Sequence, residues 1–287
     1  MNVKKNNNVK VSVVMSCYNS DSIKLQEAIT SILHQSFQDF EFIIVDDGSE
    51  NLIENVVKGI SLDERIKIYR IQNSGLGSAL NYGIYQSRGE YIARIDDDDV
   101  SCSDRLKKQV EYLDLHKDCS CVGTMHFDKY ESKYVKHRKY PIEHKEIVKS
   151  LLSLKWGMAH TTVMFRRECF DMIGGYRIKK AGEDLDLFIQ LGTVGKLANL
   201  DEYLAFYTMS YTGLSVSYSK TAESHLYAIN DVINRELYPN FRKIVLKSQA
   251  ILMKQVGMKP RRPYKRILLI LRIFLFGKKY TFPFDLH

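Results

Sequence analysis

Four consecutive aspartates, residues 96–99, follow the apolar run YIARI. Two unit charges about 4 Å apart repel by about 4 kcal/mol at an effective dielectric near 20. Four adjacent carboxylates at the end of a buried strand therefore ask for a cation, and hard ions such as Mn²⁺ or Mg²⁺ take carboxylate and phosphate oxygens together. In an extended segment Asp96 and Asp98 face the same way and share one ion, while Asp97 and Asp99 point elsewhere. The competing reading is a solvated acidic turn ahead of the helix that starts near Asp104. A second acidic pair, Asp46-Asp47, ends the run FEFIIV and leads into Gly48-Ser49. These residues form turns and helix caps, but a carboxylate at a strand end also accepts hydrogen bonds from a ribose or a base. A third pair, Glu183-Asp184, follows Gly182 at the start of an amphipathic helix, where acidic side chains complement the dipole. Asp186, two residues on, points to a different face. Gly75-Leu76-Gly77 lacks the third glycine of a dinucleotide fingerprint and any phosphate-loop lysine, so it reads as a helix entry near the site.

The elements that must position these groups are legible in the apolar pattern. Residues 10–16 (KVSVVMS) form a buried strand that stops at Tyr18-Asn19-Ser20. Residues 22–34 carry apolar side chains at helical spacing. Strands follow at 40–45, 66–70 and 91–95, separated by helices at 52–60 and 78–87. Strands alternating with helices imply right-handed crossovers and a mainly parallel, Rossmann-type α/β sheet covered on both faces. Ligands of such sheets bind beyond the carboxyl ends of the strands. Tyr18-Asn19, Asp46-Asp47 and the four aspartates should therefore line one crevice. Farther on, the pattern predicts helices at 104–116, 141–154 and 183–192, and strands at 119–124, 161–166 and 203–207.

The chain has 287 residues, 45% of them hydrophobic, which excludes disordered and collagen-like classes. Its net charge of +8 is local: residues 259–279 hold eight basic side chains and no acidic one, and the rest balances at 34 of each sign. Five cysteines show neither disulfide nor zinc spacing and read as reduced thiols. Cys119 and Cys121, one residue apart in a strand, should share a face. No stretch has 18 uninterrupted apolar residues, and the N-terminus lacks a signal core.

Taken in order, SVVMSCYN (12–19), IIVDDGS (43–49), NSGLGSALNYGI (73–84), RGEYIARIDDDD (88–99), TTVMFRRE (161–168), GGYR (174–177) and GEDLDLFIQLG (182–192) resemble the inverting family 2 glycosyltransferases of the GT-A fold. The resemblance spans residues 10 to about 210. It implies a catalytic unit over 1–218, with a nucleotide-binding half at about 10–100 and an acceptor half at about 101–218, followed by a helical, basic tail at 219–287. It implies a nucleotide diphosphate sugar donor, most often UDP-linked, met by Tyr18, Asn19, Asp46, Asp47 and Asp97. Asp96 and Asp98 match the carboxylates that hold Mn²⁺ or Mg²⁺ against the diphosphate, and Asp184 matches the catalytic base. Trp156, Met158 and His160, with Glu183, are candidates for the acceptor side; the alternative for the Trp and His is simple packing. The chain departs from the pattern at residues 207–210, where Tyr-Thr-Met-Ser stands for the usual Tyr-Arg-x-His and a diphosphate contact is missing. It also lacks the Gln-x-x-Arg-Trp signature of polymerising members, which favours a single transfer of a hexose or N-acetylhexosamine to a saccharide or lipid-linked saccharide of a bacterial surface polysaccharide. Two rivals stay open, a sugar nucleotidyltransferase and a non-catalytic scaffold of the same fold. The first would want a Gly-rich basic loop after the first strand, and residues 17–22 are neither.

Residues 267–276 (ILLILRIFLF) are too short to span a bilayer. With basic flanks they fit an interfacial helix drawn to anionic lipid, at about 1 kcal/mol per nearby basic residue. The expectation is a cytoplasmic protein held peripherally on the inner face of the cell membrane through 259–279. Nucleic acid is not an expected partner, because no nucleic-acid motif accompanies these residues. The full chain should therefore pellet with anionic liposomes in a salt-sensitive manner and lose that binding when 259–287 are removed; equal pelleting of both chains would exclude the tail.

Overall fold

A computed structural model describes residues 9–53, 56–57, 63–130, 133–178, 181–209 and 218–257. The basic segment 259–279 and most of the helix expected at 52–60 lie outside them. The first half runs β1 (Val11–Cys17), α1 (Ser22–Leu33), β2 (Phe40–Asp46), β3 (Ile66–Arg70), α2 (Leu76–Gln86) and β4 (Tyr91–Arg94). The second half runs β5 (Val100–Ser101), α3 (Arg105–Leu115), β6 (Cys119–Lys129), β7 (Tyr134–Lys136), α4 (His144–Leu152), β8 (Met164–Arg166), α5 (Arg167–Met172), α6 (Glu183–Val194), β9 (Lys196–Thr208), α7 (Tyr218–Asn234) and α8 (Arg242–Gln255).

The nine strands form one sheet in the order β3-β2-β1-β4-β8-β6-β9-β5, with β7 added to β6. From β3 to β4 the pairing is wholly parallel, as βαβ crossovers require. Cys17 pairs with Asp46, Asp46 with Arg70, and Val14 with Arg94, so β1, β2 and β4 end at one rim. β6 and β9 are also parallel, while β8 runs antiparallel between β4 and β6. Successive side chains alternate between two apolar layers. Val13, Met15, Phe42 and Ile44 face α1 and α3, whereas Val14, Ile43 and Val45 face α2 and join the layer that holds α4, α6, α7 and α8. Burial on both faces explains the unbroken apolar runs.

Three expectations are corrected. Cys119 and Cys121 lie in opposite layers, because the register of β6 against β9 shifts between them; a one-residue slip moves a side chain to the other face. All five thiols are free. The strand expected at 161–166 begins as a 3₁₀ turn, His160–Thr162, in which the Thr162 N–H and hydroxyl both donate to Ala159 O at 3.0 Å. β strand structure resumes at Met164. Residues 96–99 form a turn rather than an extended segment, with Asp99 N–H donating to Asp96 O at 3.4 Å.

At the rim opposite the aspartates, Gly89 N–H donates to Ser12 Oγ at 2.7 Å, and Ser12 in turn donates to the buried Glu41 at 2.7 Å. A Cβ at Gly89 would stand 2.4 Å from Ser12 N and 2.7 Å from Val11 C, both backbone atoms of a central strand. Gly89→Ala should cost about 2–3 kcal/mol in urea unfolding, in the upper range for overpacking; an unchanged midpoint would show that the β1–β4 edge can yield there.

Candidate active site

The rim is built from four loops. Tyr18 is exposed, and Asn19, in the left-handed region at φ 50°, fastens the first loop to the second. Its N–H donates to Ser49 Oγ at 2.9 Å, and its Oδ1 accepts from Glu50 N–H at 2.8 Å. Asp46 is buried, accepting from Ser49 N–H at 2.8 Å and pairing with Arg70 at 2.6 Å. Asp47, also buried, accepts from Ser74 N–H at 2.8 Å and Gly75 N–H at 3.0 Å, at the entry of α2. Both acidic side chains thus serve as loop fasteners, which leaves part of each carboxylate's acceptor capacity for a ligand.

The four aspartates have four different environments. Asp96 forms an ion pair with the buried Arg94. Asp97 accepts from Ser20 Oγ, tying this turn to the first loop. Asp98 offers its backbone carbonyl to Thr208 Oγ1. Asp99 turns inward and accepts from Thr208 N–H at 2.7 Å, while its Oδ2 meets no hydrogen-bond partner among the described residues. Burial raises the Asp97, Asp98 and Asp99 carboxyls, and the neighbouring carboxylates add to the rise; Asp98 is pushed up to about 6. Beneath the turn, the fully buried Arg105 donates to Arg94 O at 2.9 Å and Thr161 O at 2.7 Å. Arg94, Arg105 and Lys24 bring positive charge toward this turn, yet Asp97, Asp98 and Asp99 stay raised, so it remains short of positive charge. That donor set, all oxygen and under-compensated, fits a hard divalent cation.

Asp184 stands in the first turn of α6 with Glu183 and Asp186, where the helix dipole favours negative charge. Asp186 is turned away, as expected: it is held by Arg177, with Nε donating at 2.9 Å. Glu183 is buried and lies 3.4 Å from His160 Nδ1, and His160 Nε2 bonds to Tyr176 OH at 2.8 Å. Burial pushes Glu183 up, but the bond and charge of His160 outweigh it and hold the carboxyl below its usual range. Asp184 is raised by burial first and by the Glu183 charge second. Gly182 takes φ 90° with His225 of α7 against it: a Cβ there would lie 3.2 Å from His225 Cδ2. Asp96 N–H donates to Thr161 Oγ1 at 3.1 Å, and Thr161 follows His160. The 3₁₀ turn thus links the aspartate turn to the start of α6.

The structure brings Tyr18, Asn19, Asp46, Asp47, Asp96, Asp97 and Asp98 to one rim and ties it to His160, Glu183 and Asp184. Trp156 is 57% exposed, while Met158 is buried in the core. Sequence reasoning missed Arg94, Arg105, Tyr176, Thr208 and His225. Arg94 stands two residues before the aspartates and Tyr176 lies in a quoted motif, so both were visible; Arg105 and His225 had no local signal. At the departure from the family pattern, Thr208 docks on the aspartate turn.

An α/β sheet of this order, with an aspartate turn at its parallel rim, is the GT-A class of glycosyltransferase fold. Solved structures share it: S. aureus TarS 1-349 in complex with UDP-GlcNAc has a TM-score of 0.69 at 17% identity, over 91% of this chain and 78% of that one. The mannosyltransferase PcManGT from Pyrobaculum calidifontis, in complex with GDP-Man and Mn²⁺, has a TM-score of 0.64 at 14% identity, over 94% and 82%. The chain belongs to glycosyl transferase family 2, whose model matches residues 12–174. The O-antigen biosynthesis glycosyltransferase WbnJ of Escherichia coli is 30% identical over 237 residues, covering 80% of this chain and 92% of the relative.

The raised Asp98 carboxyl gives a sign to the pH dependence. A carboxyl raised in the folded state disfavours folding once ionised, so this contribution to stability falls as pH climbs from about 4, the unfolded value, through about 6. A divalent cation that needs the ionised form should raise the melting temperature more at pH 7.5 than at pH 5. Equal shifts at both pH values would mean that Asp98 does not bind it.

Proposed function

We propose that the protein transfers one hexose or N-acetylhexosamine from a nucleotide diphosphate sugar, UDP-linked, to a saccharide or lipid-linked saccharide with inversion of the anomeric carbon. The process would be cell-surface polysaccharide biosynthesis, which the name of the E. coli relative supports. A UDP-GlcNAc complex of one structural neighbour supports the donor class. The observation that carries the proposal is the convergence of loops after β1, β2 and β4 with the first turn of α6.

In this reading Tyr18 covers the base, and Asn19, Asp46, Asp47 and Asp97 shape the nucleoside pocket. Asp96 and Asp98 would hold Mn²⁺ or Mg²⁺, which when bound stabilises negative charge on the departing diphosphate. Arg94 orients Asp96 from below. Asp184 takes the proton from the acceptor hydroxyl as that oxygen attacks the anomeric carbon. Because burial and Glu183 raise Asp184, it accepts a proton more readily than a free aspartate. Glu183 is kept ionised and in place by His160, itself fixed by Tyr176. Attack from the face opposite the diphosphate inverts the sugar. Trp156 is an exposed aromatic side chain on the acceptor half available to a sugar face.

Asp184→Asn should lower transfer at least about a hundredfold while donor binding persists, read by diphosphate release across a nucleotide-sugar panel and by NMR of the product anomer. Unchanged transfer would remove Asp184 as the base; a retained anomer would remove inversion.

A further inference from the structure

The β6–β7 hairpin assembles a second set of ligating side chains, on the strand that pairs with β9. His126 and Asp128 alternate on β6 and so share a face. His137 directly follows β7 and is drawn over them, its N–H donating to His126 O at 3.1 Å and its ring stacked on His126 at 4.5 Å. His126 Nδ1 lies 3.4 Å from Asp128 Oδ1, and His137 Nδ1 lies 3.0 Å from the same oxygen. One ligating atom from each of the three residues falls within 4.8 Å of the other two.

His126 is 3% exposed, and its other nitrogen, Nε2, bonds to Tyr140 OH at 2.8 Å. Its Nδ1 meets no hydrogen-bond partner among the described residues, although a carboxylate oxygen faces it. With the proton on Nε2, given to Tyr140, a nitrogen lone pair and a carboxylate oxygen point at each other with nothing between them. Two acceptors so placed, one buried and one half-buried, repel, and a cation between them satisfies both. Zinc bound at about 2.0–2.1 Å in a tetrahedron sets its ligands about 3.3–3.4 Å apart, close to the observed 3.0 and 3.4 Å. Two imidazoles and one carboxylate suit zinc, whereas the aspartate rim offers oxygen alone. Tyr140 supplies the outer contact that fixes ring orientation at such centres.

We propose that His126, Asp128 and His137 bind one Zn²⁺ ion, with a water in the fourth position, and that the ion fastens β7 to β6 at the edge of the acceptor half. The site is independent of the donor reading. The full chain, stripped with a chelator, is titrated with Zn²⁺ against a chromophoric competitor and with Co²⁺ by visible absorption. One equivalent per chain is expected, with the intense bands of tetrahedral Co²⁺, and excess Mg²⁺ should not displace it. His137→Ala, at a partly exposed position, and Asp128→Asn should each weaken uptake at least about a hundredfold, and Tyr140→Phe about tenfold. Asp96→Asn should leave it unchanged. No stoichiometric uptake, uptake indifferent to both ligand variants, or uptake lost in Asp96→Asn would overturn the site and leave the three residues as a hydrogen-bonded cluster.

Discussion

Negative charge crowded at the end of a parallel strand is the constraint around which this molecule is arranged. Four carboxylates occupy one turn, and the chain answers with two guanidinium groups, Arg94 and Arg105, buried beneath it. Arg94 pairs with Asp96, while Arg105 spends one nitrogen on the carbonyls of residues 94 and 161. The compensation is partial, since burial and mutual repulsion still hold Asp97, Asp98 and Asp99 toward their protonated forms. A site left in that condition favours any ligand that carries positive charge into it.

The same constraint explains the connection to α6. The 3₁₀ turn at residues 160–162 gives one side chain to each party: Thr161 to the backbone of Asp96, and His160 to Glu183. Between them they set the separation of the aspartate turn and the acidic helix start. Tyr176, from the segment after a glycine pair, closes the arrangement by fixing His160.

Much of this was legible in the sequence, for a physical reason. The parallel half is buried on both faces, so its strands read as unbroken apolar runs, and polar residues at their ends stand out as Asp46 and the aspartate quartet do. What escaped depended on contacts between distant residues. Arg105 and His225 look like ordinary helix side chains until packing places them against the site. The face exchange of Cys119 and Cys121 depends on a register shift that alternation cannot reveal. The turn at 96–99 broke the assumption of an extended segment, because Thr208 and Ser20 pull its members in different directions. The family motifs supplied a role for Asp184, which helix-dipole reasoning alone would have left as a cap.

The two apolar layers have a consequence for how such a chain can diverge. The sheet separates α1 and α3 from the layer shared by α2, α4, α6, α7 and α8. Substitutions in α7 and α8 act on the layer they share with α2, and the sheet shields α1 and α3 from them. Drift in the late helices can therefore be absorbed without disturbing the packing of α1, the helix that follows the Tyr18 loop.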